Sequence, residues 1–301
     1  MEKLIEQAIN EELPLRRSLS IPKTVKFGLE IENNGFDNRA IWNDAERLIC
    51  NIDNRLYVHD DNSLNYVDDN GKMLLGLEVS TSVLQNKKED LLLLKKLSKT
   101  LKHINPKYNN SSLQVNLDDD LTLEQRLELL KVYAYYEKII MRFSKGNSSC
   151  LRNSSDVYAH YIYYELLSEL QSSKNIEEKI EKFTGKRMFG INFKFLTKRI
   201  VEYRTPNGCN DLDLWLNYIN TFYYLQETVR KNKYDKELID YKFSKQPKTF
   251  DDEYLYQYMC FPVHEELAVD FVNTVFTNEL DKLYFLKQYI GQDNEYIKTK
   301  K

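Results

Sequence analysis

The chain has 301 residues, of which 42% are hydrophobic and 30% are charged, a composition typical of a globular protein. Its 43 basic and 46 acidic residues leave a formal net charge of -3, which argues against a nucleic-acid partner, because proteins that coat nucleic acid carry a strong basic excess. No apolar run approaches the ~20 residues of a membrane span and no secretory signal is visible, so we expect a cytoplasmic protein with no membrane partner.

Five short segments alternate between apolar and polar residues and are predicted to be strands. They cover residues 25–32, 76–80, 112–118, 189–195 and 199–205. The last two runs are separated by a short connection, which indicates a hairpin. Parallel strands buried on both faces would give continuous apolar runs, whereas these strands alternate. The pattern therefore favours an antiparallel sheet in an α+β fold.

Helices are predicted between and after the strands from apolar residues at helical spacing. The helical segments are residues 37–52, 86–104, 122–143, 156–172 and 211–230. The third begins with Thr122 and Gln125 in the positions of a capping box. Three regions result: an N-terminal helical segment (1–20), a domain that carries the strands (21–232) and a helical C-terminal extension (233–301). We interpret the extension as a cap or a homo-oligomer contact.

The cysteines and histidines do not form a recognisable metal motif. The four cysteines lie singly, with no C-x-x-C spacing, and the four histidines are equally dispersed. Zinc ligation and a disulfide framework are therefore not indicated. Any metal would be a hard cation that is bound through oxygen atoms.

Glu30 and Glu32 are the first candidate ligands for such a cation. They lie two residues apart on a predicted strand, so their side chains share a face and stand about 6–7 Å apart along the strand. A cation between the carboxylates would relieve their repulsion. Taken alone, a pair of this kind is most often part of an ordinary solvent-facing strand.

Further polar residues lie on the same kind of strand face. Glu78 follows a glycine by two positions in the second strand, and Glu202 and Arg204 share a face of the last strand. A carboxylate beside a guanidinium suits a site that holds a metal and contacts phosphate. Asp61 and Ser63 lie in a polar loop, where these residue types also favour an ordinary turn.

Together these segments resemble the amidoligase family of the glutamine synthetase-like superfamily, over roughly residues 25–230. The matching segments occur in the family's order: FGLEIE (27–32), DNSL (61–64), GLEVS (76–80), LQVNLD (113–118), RN (152–153), VEYRT (201–205) and NG (207–208). The resemblance implies a curved antiparallel sheet with helices on its outer face, which binds ATP and Mg²⁺ or Mn²⁺. It also implies that ATP phosphorylates a small-molecule or peptide carboxylate, and that an amine then attacks the acyl phosphate to form an amide bond.

The resemblance also assigns roles to individual residues. The implied metal ligands are Glu30, Glu32, Glu78 and Glu202. The implied nucleotide or substrate contacts are Arg204, Arg152, Gln114, Asn116 and Ser63. The implied catalytic residues are Glu202, Arg204, which would stabilise charge during phosphoryl transfer, and Asp61.

The sequence departs from the family at one position. Gln114-Val115-Asn116 stands where the family usually has a His-x-His pair. Amide oxygens can bind Mg²⁺, but an amide provides no imidazole ligand. Two functions therefore remain open, an ATP-dependent carboxylate–amine ligase and a non-catalytic nucleotide- or peptide-binding protein on the same scaffold.

Overall fold

The fold is built on an antiparallel sheet of 8 strands. A computed structural model describes residues 2–104, 111–146, 160–172, 175–185, 188–194, 199–244, 262–291 and 293–299. The strands within these ranges are β1 (Lys26–Phe36), β2 (Leu56–Asp60), β3 (Tyr66–Val67), β4 (Met73–Thr81), β5 (Leu84–Gln85), β6 (Leu113–Asp118), β7 (Ile191–Phe193) and β8 (Ile200–Tyr203). The order across the sheet is β2-β4-β1-β6-β8-β7, with β3 paired to β4 and β5 paired to β1.

The antiparallel α+β architecture predicted from the alternating segments is confirmed. Every strand pair is antiparallel, and β7 and β8 form the expected hairpin pairing. Strand β1 is longer than predicted and continues to Phe36. A bulge at Asn33 to Phe36 makes this possible, because Gly35 adopts a positive φ of 85° there and pairing resumes between Phe36 and Leu75.

Helices lie between and after the strands, as predicted. The helices of the described ranges are α1 (Glu2–Asn10), α2 (Arg39–Cys50), α3 (Lys88–Ile104), α4 (Leu123–Tyr135), α5 (Glu137–Ser144), α6 (Tyr163–Gln171), α7 (Ile176–Glu181), α8 (Leu212–Arg230), α9 (Lys236–Ser244), α10 (Glu265–Val275), α11 (Glu279–Ile290) and α12 (Asn294–Thr299). The capping box at Thr122 and Gln125 is confirmed by both of its hydrogen bonds.

Two helix predictions need correction. The single helix expected over residues 122–143 is broken at Tyr136, whose hydroxyl donates to Asp270 (2.6 Å) and whose ring packs edge-on against Phe271. The helix expected over 156–172 begins at Tyr163, because His160 pairs with the backbone of Phe189 as an isolated β-bridge. Residues 156–159 of that prediction lie outside the described part of the chain.

One face of the sheet forms the core with the helices. Tyr203 of β8 stacks on Phe222 of α8 with 4.2 Å between ring centroids, and it also contacts Tyr133 of α4. Burial of aromatic surface of this size is a major source of stability. The α8 helix therefore fixes the apolar face of the central strands, and the charged residues of the same strands lie on the opposite face.

The chain ends share this core. Ile5 of α1 and Phe285 of α11 belong to the same hydrophobic cluster as the sheet residues. A buried ion pair joins Arg16, which follows α1, to Asp281 of α11 (2.5 Å). Within the described ranges, no helix combines the length and the apolarity that crossing a bilayer requires.

Candidate functional site

The polar face of the sheet brings together residues that are distant in sequence. Its cross-strand neighbours are Glu32 and Glu78, Glu30 and Gln114, and Asn116 and Glu202. Facing residues on adjacent strands have Cβ atoms about 4.5–5.5 Å apart, so the register alone places these side chains side by side. The structure thus gathers on one surface the strand residues that the sequence indicated.

Glu32, Asp61 and Glu78 form what we call the acidic cluster. One carboxylate oxygen of each residue lies within 4.8 Å of one oxygen of each of the other two. Glu32 is buried, with 7% of its surface exposed, and the other two are partly buried. Among the described residues, none of the three has an ion-pair partner within 4.0 Å. The cluster therefore concentrates negative charge that no side-chain cation neutralises directly.

Asp61 reaches this cluster because a 3₁₀ turn is packed tightly on β4. The Asp61 side chain caps the turn Asn62–Leu64 by accepting from the Ser63 amide (2.9 Å) and hydroxyl (2.6 Å). A Cβ atom built on Gly76 would lie 2.2 Å from the Leu64 Cβ atom. Only glycine leaves room for this approach, which explains the glycine two residues before Glu78.

The electrostatics of Glu78 reflect this crowding. Burial raises the pKa of Glu78 to about 7, and the nearby charges of Glu30, Glu32 and Asp61 contribute in the same direction. Lys194 acts in the opposite direction with a smaller effect. A proton or a cation at Glu78 relieves the same repulsion, so the two compete for one place.

A second group, the ion-pair cluster, consists of Glu30, Lys194, Glu202 and Arg204. The Lys194 ammonium lies 2.5 Å from Glu30 Oε1 and 2.8 Å from Glu202 Oε1. Arg204 lies 3.2 Å from the other carboxylate oxygen of Glu202. Glu202 is fully buried, and Arg204 is 4% exposed. This cluster therefore pairs two carboxylates with two cations, buried at Glu202 and Arg204 and partly exposed at Glu30 and Lys194.

The pKa values within the ion-pair cluster follow from the pairing. Burial raises the pKa of Glu202, but the positive charges of Arg204 and Lys194 outweigh it, and the net pKa lies below its ordinary value. Burial lowers the pKa of Lys194, while Glu202 and Glu30 raise it above its ordinary value. Glu202 and Lys194 are therefore both charged at neutral pH.

Two amide side chains of β6, Gln114 and Asn116, bind carboxylates of the polar face. Gln114 donates to Glu32 (3.2 Å) and accepts from Arg204 (2.7 Å), so it links the acidic cluster to the ion-pair cluster. Asn116 donates to Glu30 (2.9 Å), and its Oδ1 atom is buried and has no hydrogen-bond partner among the described residues. Both side chains thus hold carboxylates in place.

The other site residues predicted from the sequence, Ser63 and Arg152, belong to neither cluster. Ser63 is exposed and its hydroxyl is bound to Asp61. Arg152 lies outside the described residues. Sequence reasoning missed Lys194 and also Asn192, which donates to Glu202 (2.9 Å). Both occupy polar positions in the alternating run 189–195, and that alternation was the available signal.

Comparisons with known proteins add no relative. No protein-family model matches the chain, and no curated protein matches it significantly. The chemistry of the polar face therefore has to be judged from its own geometry. Three adjacent carboxylate oxygens suit a hard divalent cation, and the neighbouring guanidinium and ammonium suit phosphate oxygens.

Proposed function

We propose that the chain is an ATP-dependent carboxylate–amine ligase with a glutamine synthetase-like sheet. The proposal rests on one observation: the acidic cluster of Glu32, Asp61 and Glu78 lies on the same sheet face as Arg204 and Lys194. A nucleotide that carries Mg²⁺ presents a cation and several phosphate oxygens together. This face offers a matching set of carboxylates and cations.

The donor set fits a divalent cation. Glu32, Asp61 and Glu78 would hold Mg²⁺ or Mn²⁺ through oxygen, which these ions prefer. When bound, the ion would neutralise charge on the phosphates. Arg204 would contact the phosphate that is transferred and stabilise its charge, as positioned cations do in phosphoryl transfer. Glu202 would orient Arg204 and Lys194 through its two oxygens.

The reaction has two steps. The substrate carboxylate attacks the γ-phosphorus of ATP, and the bond to ADP breaks, which gives an acyl phosphate. The amine then attacks the acyl carbon, phosphate leaves, and the amine loses a proton to give the amide. The protein contributes mainly positioning and fixed charge in the first step.

Calorimetry with ATP and Mg²⁺ tests the proposal. The variants are Glu78→Gln, which removes one charge from the acidic cluster, and Glu237→Gln, which removes the same charge from an exposed position on α9. We expect Glu78→Gln to weaken Mg²⁺-dependent ATP binding at pH 8 by about 10-fold to 100-fold, the range for disrupting a metal site. The Glu237→Gln variant should bind like the parent.

The parent protein itself provides the decisive outcome. If it binds no ATP in a Mg²⁺-dependent manner, the ligase proposal fails. If it binds, a screen of carboxylate and amine pairs for ADP release follows. Release that requires both partners supports a ligase.

The second candidate is a non-catalytic nucleotide- or peptide-binding protein. It is favoured by the engagement of Gln114 and Asn116, whose amides are committed to hydrogen bonds with Arg204, Glu32 and Glu30. Such a protein would bind Mg²⁺ and ATP without releasing ADP for any amine. The same screen separates the two functions.

A further inference from the structure

The negative and positive charges of the polar face are divided unevenly between the two clusters. The ion-pair cluster contains two carboxylates and two cations, so its formal charge is balanced. The acidic cluster contains three carboxylates and, among the described residues, no ion-pair partner. Both clusters carry residues to which the family resemblance assigns metal ligation, namely Glu30 and Glu202 in the first and Glu32 and Glu78 in the second.

We infer that the polar face takes one divalent cation, at the acidic cluster, and that the Lys194 ammonium stands in for a second cation between Glu30 and Glu202. The inference deepens the proposed function and rests on its divalent cation. It assigns Glu30 and Glu202 to an internal ion pair instead of a metal.

The position of the ammonium supports this assignment. Lys194 Nζ bridges Glu30 on β1 and Glu202 on β8, strands that are separated by β6 in the sheet. The ammonium thus supplies the positive charge between two carboxylates that belong to different strands. The ammonium lies 2.5 Å and 2.8 Å from the two oxygens, so a metal ion could enter only by displacing it.

The carboxylate oxygens of the ion-pair cluster are also largely engaged. Glu30 Oε1 accepts from Asn116 and Lys194, and Glu202 Oε2 accepts from Asn192 and lies beside Arg204. A metal ion there would have to compete with all of these donors.

In the acidic cluster the donors are fewer and neutral. Gln114 donates to Glu32, and Ser63 donates to Asp61. Within the described ranges, the carboxylate of Glu78 accepts no hydrogen bond. Each carboxylate of the acidic cluster therefore has at least one oxygen available to a cation. This availability favours ion binding at the acidic cluster over the ion-pair cluster.

Counting bound Mn²⁺ tests the inference. Mn²⁺ titration at pH 8, followed by electron paramagnetic resonance, reports both the number of ions and any coupling between adjacent ions. We expect one uncoupled ion in the parent, one in Lys194→Arg, which keeps the positive charge, and two coupled ions in Lys194→Met. Lys131→Met is the matched control, because Lys131 also bridges two carboxylates, Glu128 and Asp240, on another part of the surface.

The outcomes distinguish this inference from the proposed function. Two ions in the parent overturn the inference and leave the ligase standing. A Lys194→Met variant that has the parent's circular dichroism and still binds one ion also overturns it, as does a second ion in Lys131→Met. If Lys194→Met does not fold, the counts in the parent and Lys194→Arg decide. If the parent binds one ion but no ATP, the ligase proposal is overturned and the inference about Lys194 stands. If the parent binds no ion, both are overturned.

Discussion

The acidic cluster and the ion-pair cluster lie side by side on one sheet face and both contain strand glutamates, yet they differ in charge balance. In the ion-pair cluster, fully buried Glu202 is neutralised by Arg204 and Lys194. In the acidic cluster, partly buried Glu78 has three carboxylates near it and a raised pKa. Neighbouring glutamates on a sheet therefore differ in charge environment according to the cations within reach, which their positions in the sequence do not reveal.

The difference also separates stability from binding. A buried charge that is paired costs much less than one that has lost its partner, so the ion-pair cluster should matter for folding in addition to the phosphate contact proposed for Arg204. A group of carboxylates without a cation destabilises the folded protein until an ion or a proton neutralises part of its charge. The acidic cluster should therefore matter chiefly for binding.

The substitution Arg204→Met should have the largest effect. It leaves buried Glu202 with one cation, and breaking a buried pair costs about 3–5 kcal/mol of unfolding free energy. Chemical denaturation at pH 7 measures the loss. The control is Arg47→Met, which breaks an exposed pair with Asp44 and should change the free energy by no more than about 0.5 kcal/mol. A loss below about 1 kcal/mol in Arg204→Met would show that the cluster is not structural.

The variant Glu78→Gln should stabilise the metal-free protein at pH 8. The pKa of Glu78 is about 7 in the folded protein, above its ordinary value of 4.5, so its contribution to stability is present below pH 4.5 and is lost as the pH rises through 7. The neutral amide avoids that loss, which we expect to be on the order of 2 kcal/mol. Denaturation in a chelator at pH 5 and pH 8 measures it.

If the parent and Glu78→Gln lose stability equally between these two pH values, the repulsion assigned to the acidic cluster is wrong. Glu237→Gln serves again as the control, because Glu237 is exposed on α9 and should leave the pH dependence unchanged.

In the parent protein, the affinity for the cation should fall as the pH is lowered. Below a pKa of about 7, a proton on Glu78 must leave before the ion binds. Affinity for Mn²⁺ should therefore fall by about 5-fold between pH 7 and pH 6, and by about 10-fold per pH unit, or about 1.4 kcal/mol, below that. Titration calorimetry at several pH values measures the slope. An affinity that stays constant over this range would place the ion away from Glu78.

The smallest effect is expected for Asn116→Ala. Its amide donates to Glu30 in the ion-pair cluster, and loss of a partly buried hydrogen bond costs about 1 kcal/mol of unfolding free energy. The number of Mn²⁺ ions should remain one, because Lys194 still lies between Glu30 and Glu202. A loss of ion binding would instead make Asn116 a ligand of the metal.

The sequence predicted the parts of the site that depend on local pattern. Alternation placed Glu30 and Glu32 on one face, and the same rule applied to Glu78 and Glu202. The pattern of Thr122 and Gln125 predicted a helix start that the structure contains. These features depend on spacings of two or three residues, which a sequence displays directly.

The parts that were missed depend on contacts between distant residues. Lys194 follows a strand of three residues, and its partners lie on β1 and β8. Tyr136, where the helix predicted over 122–143 is broken, donates to Asp270, in a helix that comes later in the chain. No local periodicity encodes such pairings, so the balance of charge between the two clusters became visible only in three dimensions.

Assembly of the acidic cluster depends on how the chain packs around Gly76. Asp61 can join Glu32 and Glu78 only while Leu64 is packed over Gly76, and the Asn65 side chain accepts from the Gly76 amide (2.7 Å) in that arrangement. A cation that binds this docked form and not the undocked form shifts the equilibrium toward docking. Hydrogen exchange of the segment between Asp61 and Gly76 should therefore slow when the ion binds, so this short turn would act as the ion's reporter.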